Sequence, residues 1–465
     1  MFKKDHQISD LIIIIPGITG SVLSRNGEEI WGLSGATIIK NLLNLGKNLK
    51  QLQLPDGIED DEPNDGVQAT ALMSDLHILP GLWTIDGYGK LTCYLRNRFK
   101  LIDVTDDHAG NLLLFPYDWR LSNAVSARRL ARVANRELDR WRVLSKNPNA
   151  KLILICHSMG GLVARWFLEV LGGREITRRL ITIGTPYQGS INALSTVANG
   201  FSKGLGPLRV NLTELVRSFP SIYQLLPIYP STDMGSGQLQ KLSNVSVPNL
   251  SSERVKSAES FHQRITDSVR VGKYNLSVIK GHAQPTDQSV KLRGQHIEPI
   301  PEYNGIDKGG DGTVPRPSSH PPEWKDGDAE AIFAPQKHGS LQNTDGLLEQ
   351  IYGVLTGNLG RWMGGTSIGL DIPPIVSAGE SIPITAITPS GDDTLSLQVS
   401  IEDERGEPCQ QPELLINLGF GRYGSTVSGL VPGPYRITVA SAVPQRPVES
   451  VTDIVLVWGQ APISE

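Results

Sequence analysis

Lys151–Gly161, KLILICHSMGG, is the stretch whose reading decides the fold. Leu152 to Cys156 form an apolar run too short for anything but a buried strand. Beyond the corner His157–Ser158–Met159–Gly160–Gly161, apolar Leu162, Val163, Trp166, Phe167 and Val170 recur at helical spacing. A buried strand that turns at once into an amphipathic helix, with a serine at the corner, is the nucleophile-elbow pattern. The turn lifts the serine oxygen off the top of a sheet and sets the next amide, that of Met159, at a helix N-terminus. One element then offers a nucleophile, Ser158, and an oxyanion donor, the Met159 N–H. Cys156 stands where the pattern has its first glycine, so the motif reads C-x-S-x-G. A small side chain is tolerated where strand and helix pass closely.

Working outward, Leu11–Ile15 is a second buried run, and its four successive isoleucines suit a parallel strand covered on both faces. It feeds Pro16–Ser21, PGITGS, either an ordinary turn or the second half of an oxyanion hole, since glycine lets backbone amides approach a substrate oxygen. Ile18 is the expected donor, with Thr19 next. Tyr88–Phe99 reads as a helix and Asn111–Phe115 as a strand running into Pro116–Ser122. From Asn123 to Leu144, Leu130, Val133, Ala134, Leu138 and Trp141 share one helical face and arginines take the other, with Ser122 as the expected N-cap. Tyr117–Arg120 either touches substrate or packs under the sheet edge. Strands follow at Leu180–Ile183, Asn275–Lys280 and Ala331–Ala334, and Thr344–Leu355 reads as a closing helix. This alternation implies an α/β fold with a parallel, doubly covered sheet.

Asp311 sits between glycines on a loop, which suits either a plain turn aspartate or the carboxylate that orients a catalytic histidine. His338 follows the final strand within a few residues and is the expected base, with His320 second. The order Ser158, Asp311, His338 is that of an α/β-hydrolase triad. His157 points the wrong way to be the base and is expected to pack.

The hydrolase domain is expected at 1–357, with a lid insertion at about 31–89 and a cap insertion at about 193–270. The lid segment contains a short helical piece at Ala36–Leu54 and a bulky apolar stretch at Leu76–Trp83; a packed subdomain without gating is the equal alternative. A glycine-rich linker is expected at 358–371. From 372 to 465 the helical period disappears and apolar residues alternate, as in Leu395, Leu397, Val399, Ile401 and Tyr435, Ile437, Val439. That pattern implies a small all-β, Ig-like sandwich, assigned to domain contact or a protein partner.

A net charge of −4 over 465 residues gives no electrostatic case for nucleic acid. Three scattered cysteines fit neither a disulfide framework nor a zinc site. No metal or organic cofactor is expected. No apolar stretch approaches 18 residues, and the N-terminus lacks a cleavage pattern. The expected setting is cytoplasmic, at most peripheral to a membrane.

Six segments together resemble the lecithin:cholesterol acyltransferase family: Pro16–Ser21 (PGITGS), Pro116–Leu121 (PYDWRL), His157–Gly161 (HSMGG), Gly184–Ser190 (GTPYQGS), Gly310–Val314 (GDGTV) and His338. PYDWR between the glycine loop and the elbow is the most specific of them. The resemblance spans about residues 10–355. It implies Ser158 as nucleophile, Asp311 and His338 as its partners, the Ile18 and Met159 amides as oxyanion hole, a lipid acyl ester as substrate and a mobile lid. The expected activity is lipid acyl-ester hydrolysis or O-acyl transfer through an acyl-enzyme. A carboxylesterase for soluble esters and a catalytically silent scaffold are the alternatives.

Overall fold

The computed structural model of the chain describes residues 6–32, 51–74, 76–79, 83–203, 210–270, 272–324, 331–357, 365–388, 391–443 and 447–459. Its centre is a six-stranded sheet of β1 (Leu11–Ile15), β2 (Leu112–Leu114), β3 (Leu152–His157), β4 (Thr177–Ile183), β5 (Asn275–Gly281) and β6 (Ala331–Ala334). All neighbours are parallel, in the order β6-β5-β4-β3-β1-β2. The chain leaves β1 to one side, returns to pair β3 on the other, and then continues outward. The crevice between the C-terminal ends of β1 and β3 is therefore the switch point, where open α/β sheets bind ligands.

The two-residue period of a strand sorts the apolar runs onto two faces. Leu11, Ile13, Ile15, Leu152, Leu154 and Cys156 share one core with Leu130, Ala134 and Leu138 of α2 (Asn123–Ser145) and Leu162 and Val163 of α3 (Gly160–Arg165). Ile12, Ile14, Ile153 and Ile155 share the other with Leu91 and Leu95 of α1 (Gly89–Arg98) and Leu347, Leu348 and Ile351 of α5 (Asp345–Thr356). Ser122 caps α2 as expected, accepting from the Ala124 N–H at 3.2 Å.

The insertions differ in part from the sequence reading. The helical piece expected at Ala36–Leu54 falls mostly outside the described residues; 51–54 are turn and irregular backbone. The glycine loop runs into a three-stranded antiparallel sheet of Ser21–Arg25, Glu28–Trp31 and Val67–Leu72. His77–Leu79 pairs with Trp83–Ile85. The segment expected as a cap insertion contains α4 (Ser252–Ser268), whose Val255, Ala258, Phe261 and Ile265 are buried. Phe261 stacks on Trp166 at 4.8 Å, and the Phe219 ring meets Trp119 edge-on at 5.6 Å. Much of this segment is thus continuous with the main core.

Gly369–Asp371, inside the expected linker, is a strand. It belongs to a four-stranded sheet with Ile382–Ile387, Arg422–Val427 and Ile416–Gly419. A five-stranded sheet holds Ile375–Ser377, Val451–Trp458, Gly433–Ser441, Leu397–Glu402 and Glu413–Leu414. The alternation pattern predicted from sequence is realised: Leu397, Val399, Ile401, Tyr435, Ile437 and Val439 lie in one core with Ile382, Ile384 and Tyr423. All pairings are antiparallel except Ile375–Ser377 with Val451–Trp458.

Candidate active site

Ser158 and His338 follow the C-terminal ends of β3 and β6, and Asp311 comes from the long connection between β5 and β6 and packs against Gly281 at the end of β5. Ser158 follows β3 with φ of 51°, the strained left-handed geometry of a sharp corner. Its N–H donates to Ile183 O at 2.8 Å, and its carbonyl accepts from Gly161 N at 3.0 Å and Thr185 Oγ1 at 3.0 Å. Cys156 lies wholly inside the sheet, pairing with Ile15 and Thr182, and burial pushes its thiol up. It fills space and takes no part in the corner.

The β1 loop presses directly on the elbow. A Cβ at Gly17 would sit 2.8 Å from Ser158 Cβ, and one at Gly160 would sit 2.4 Å from Pro16 O. These close approaches require glycine and bring Ile18 beside the nucleophile. Among the described residues, the amides of Ile18 and Met159 donate to no protein acceptor. The PYDWR segment holds this loop from beneath. Tyr117 Oη donates to Pro16 O at 3.0 Å, and Trp119 Nε1 donates to Ser21 O at 3.2 Å. Arg120 is fully buried, with its guanidinium on Asp118 at 2.6 Å and Asp65 at 2.9 Å. Of the two readings offered for this segment, packing is the one observed.

Asp311 and His338 meet at Ser158. His338 Nε2 lies 2.8 Å from Ser158 Oγ, and His338 Nδ1 lies 2.7 Å from Asp311 Oδ2. Asp311 Oδ1 accepts from the amides of Thr313 at 2.9 Å and Val314 at 2.6 Å, which fixes the carboxylate. The His338 N–H donates to Asp311 O at 2.8 Å, tying the two loops together. Ser158, Asp311 and His338 are 5%, 1% and 6% exposed, so the line of bonds is shielded from water. His338, and not His320, is the histidine bonded to Ser158.

His157 does pack, as expected, but its ring also bridges. Burial pulls it from 6.5 to about 3, helped by the nearby His338 ring, so it is neutral. Its Nε2–H donates to His338 O at 3.1 Å. Its Nδ1 accepts from Tyr88 Oη at 2.9 Å, and Tyr88 Oη accepts from the Gly17 N–H at 2.8 Å. The chain Gly17–Tyr88–His157–His338 joins the glycine loop to the backbone of the histidine. Sequence reading missed Tyr88; no spacing rule connects it to residues 71 and 69 positions away.

Among the described residues no three His, Cys, Asp or Glu side chains gather to hold a metal, and no helix is long and apolar enough to cross a membrane.

A parallel sheet of this order, carrying a strand–serine–helix corner at its switch point, defines an α/β-hydrolase. Within that class, residues 90–291 match the model of the lecithin:cholesterol acyltransferase family, and over that range the chain is LCAT-like. The match supports lipid-ester hydrolysis or acyl transfer as the class of activity. No curated protein sequence matches significantly. Among solved structures, the chain is similar to the Bacillus licheniformis lipase BlEst2 in its propeptide form, at 12% identity and a TM-score of 0.33, covering 97% of this chain and 94% of that one. It is also similar to phospholipase PlaB from Legionella pneumophila, at 8% identity and a TM-score of 0.26, covering 97% and 90%.

Proposed function

We propose that the chain cleaves acyl esters of lipids through a serine-bound acyl intermediate, with Ser158, His338 and Asp311 as the catalytic residues. The observation that carries this reading is the buried hydrogen-bonded line Ser158 Oγ–His338 Nε2, His338 Nδ1–Asp311 Oδ2. His338 Nε2 takes the Ser158 proton as Oγ bonds to the ester carbonyl carbon. The resulting oxyanion is held by the amides of Ile18 and Met159, each worth about 3 kcal/mol in comparable sites. Collapse breaks the ester C–O bond, and the leaving alcohol takes the proton from His338. Water or a second alcohol then attacks the acyl-serine, giving up its proton to His338, and Ser158 is regenerated. Asp311 accepts from His338 Nδ1 and holds the imidazole in the tautomer that leaves Nε2 free to accept. A shielded site favours the transferase outcome by limiting water, and an open one favours hydrolysis. The working place of the enzyme would be a cytoplasmic membrane surface, where such substrates lie.

A fluorophosphonate probe should label the wild-type chain and leave Ser158→Ala unlabelled; equal labelling of the two would remove Ser158 from the mechanism. Incubation with mixed phospholipid and neutral-lipid vesicles, read by mass spectrometry, should yield free fatty acid or a new acyl ester in a Ser158-dependent way. A soluble short-chain ester turned over while every vesicle lipid is spared would overturn the lipid assignment.

A further inference from the structure

Two buried glutamines join the loops of Asp311 and His338 to the C-terminal β region by the same device. Gln336, 3% exposed, lies two residues before His338. Its Nε2 donates to Ser450 O at 2.9 Å and its Oε1 accepts from Thr452 N at 2.8 Å. Gln284, 2% exposed, donates from its backbone to Gly310 O at 3.0 Å, next to Asp311. Its Nε2 donates to Ile368 O at 3.0 Å and its Oε1 accepts from Leu370 N at 3.0 Å. In both cases one side-chain amide takes the carbonyl of a residue and the N–H of the residue two further on. It thus stands where a neighbouring strand would stand, at the start of Val451–Trp458 and of Gly369–Asp371.

The same region reaches the histidine loop twice more. Lys337 Nζ lies 3.4 Å from Asp453 Oδ2, with both side chains largely buried. The Asp86 N–H donates to Gly339 O at 2.9 Å, and the Asp86 carboxylate pairs with Arg436 at 2.5 Å. Gln336, Lys337 and Gly339 are therefore all anchored, directly or through Asp86, to residues 436–453. His338 itself is bonded only within the site.

We propose that Gln336 and Gln284 are positioning residues, through which the C-terminal β region sets the placement of His338 and Asp311 against Ser158. The inference rests on the catalytic reading of those three residues. It makes the β region part of the support of the reaction centre. A lost amide bond here leaves buried backbone groups unpaired and frees the loop to shift, and a displacement of about 1 Å suffices to slow a chemical step by about a hundredfold.

The test uses the full chain carrying Gln336→Met, which keeps the side-chain length and removes the hydrogen bonds to Ser450, Thr452 and the Lys337 amide, and Gln336→Glu, which keeps the shape and an acceptor. A p-nitrophenyl ester gives kcat and KM, and fluorophosphonate labelling reports Ser158 directly. Val427→Ala, which thins the β-region core it shares with Ile382, Ile384 and Tyr423 on a strand bonded to neither loop, controls for stability alone. The expected result is a tenfold or greater fall in kcat for Gln336→Met with KM within twofold, and a smaller fall for Gln336→Glu. Val427→Ala should lower Tm while its folded fraction keeps the wild-type kcat. Gln284→Met should repeat the kcat effect if Gln336→Met does not fold. Wild-type kcat and labelling rate in folded glutamine variants, with Ser158→Ala unlabelled, would overturn this inference and leave the catalytic reading intact. Labelling of Ser158→Ala would instead overturn the catalytic reading.

Discussion

At the scale of single residues, the members of the site differ in how much of themselves they show in the sequence. Ser158 is legible because strand, corner and helix are contiguous, and His338 and Asp311 because chain order ties them to it. Tyr88, Gln284 and Gln336 are not legible, since a buried polar side chain on a loop has no period and its partners lie far away in the chain. His157 was assigned to packing because only its position was visible; its role in bridging depends on a tyrosine from another element. His157 and His262 are both held neutral by burial, at about 3 and about 4 against an ordinary 6.5. Below pH 6.5 the unfolded chain binds protons that the folded chain refuses, so the stability linked to each is present above pH 6.5 and lost as pH falls toward the folded value. His262→Gln isolates one of them. Its stability relative to wild type, measured by urea unfolding, should improve by about 1.4 kcal/mol for each pH unit between 6.5 and 4. A pH-independent difference would mean that His262 titrates normally.

At the scale of elements, legibility follows how many faces of a segment are buried. The inner strands bury both faces, so unbroken apolar runs such as Leu11–Ile15 and Leu152–Cys156 mark their own ends. Helix α2 buries one stripe and shows a clear period with arginines opposite. Helix α4 was missed because its buried positions 255, 258, 261 and 265 are separated by charged and polar residues, and their partner, Trp166, lies far away in sequence. Leu130 on α2 is fully buried against β1 and β3, and truncation there leaves a cavity under the strands that carry the glycine loop and the elbow. Leu130→Ala should cost about 2–5 kcal/mol in denaturant unfolding. A loss below 1 kcal/mol would show that α2 closes over the gap.

At the scale of the whole molecule, the β region joins the hydrolase through the two glutamines, the Asp86–Arg436 pair and the small core around Leu76. Alternation announced its strands, but alternation carries no sign of which other unit a strand end will meet. On its outer edge Leu414, Ile416, Leu418 and Phe420 are exposed, Phe420 by 92%, at alternate positions of one chain segment. Isolated apolar residues on a surface are ordinary, whereas a run of this kind should be measurable as stickiness. Phe420→Ser should elute earlier from a hydrophobic-interaction column with unchanged Tm; unchanged retention would mean that the ring is covered in solution. The grip of Val451–Trp458 on the loop of His338 also has a meaning in time. A chain emerging from the ribosome presents Ser158 first and Thr452 only roughly 300 residues later, about 15–60 s at ordinary elongation rates. Through that interval Ser158 is present while the segment that anchors the histidine loop is still to be made. If the Gln336 anchor positions His338 as proposed, the growing chain gains that support only after Ser450–Thr452 have been made and have folded back.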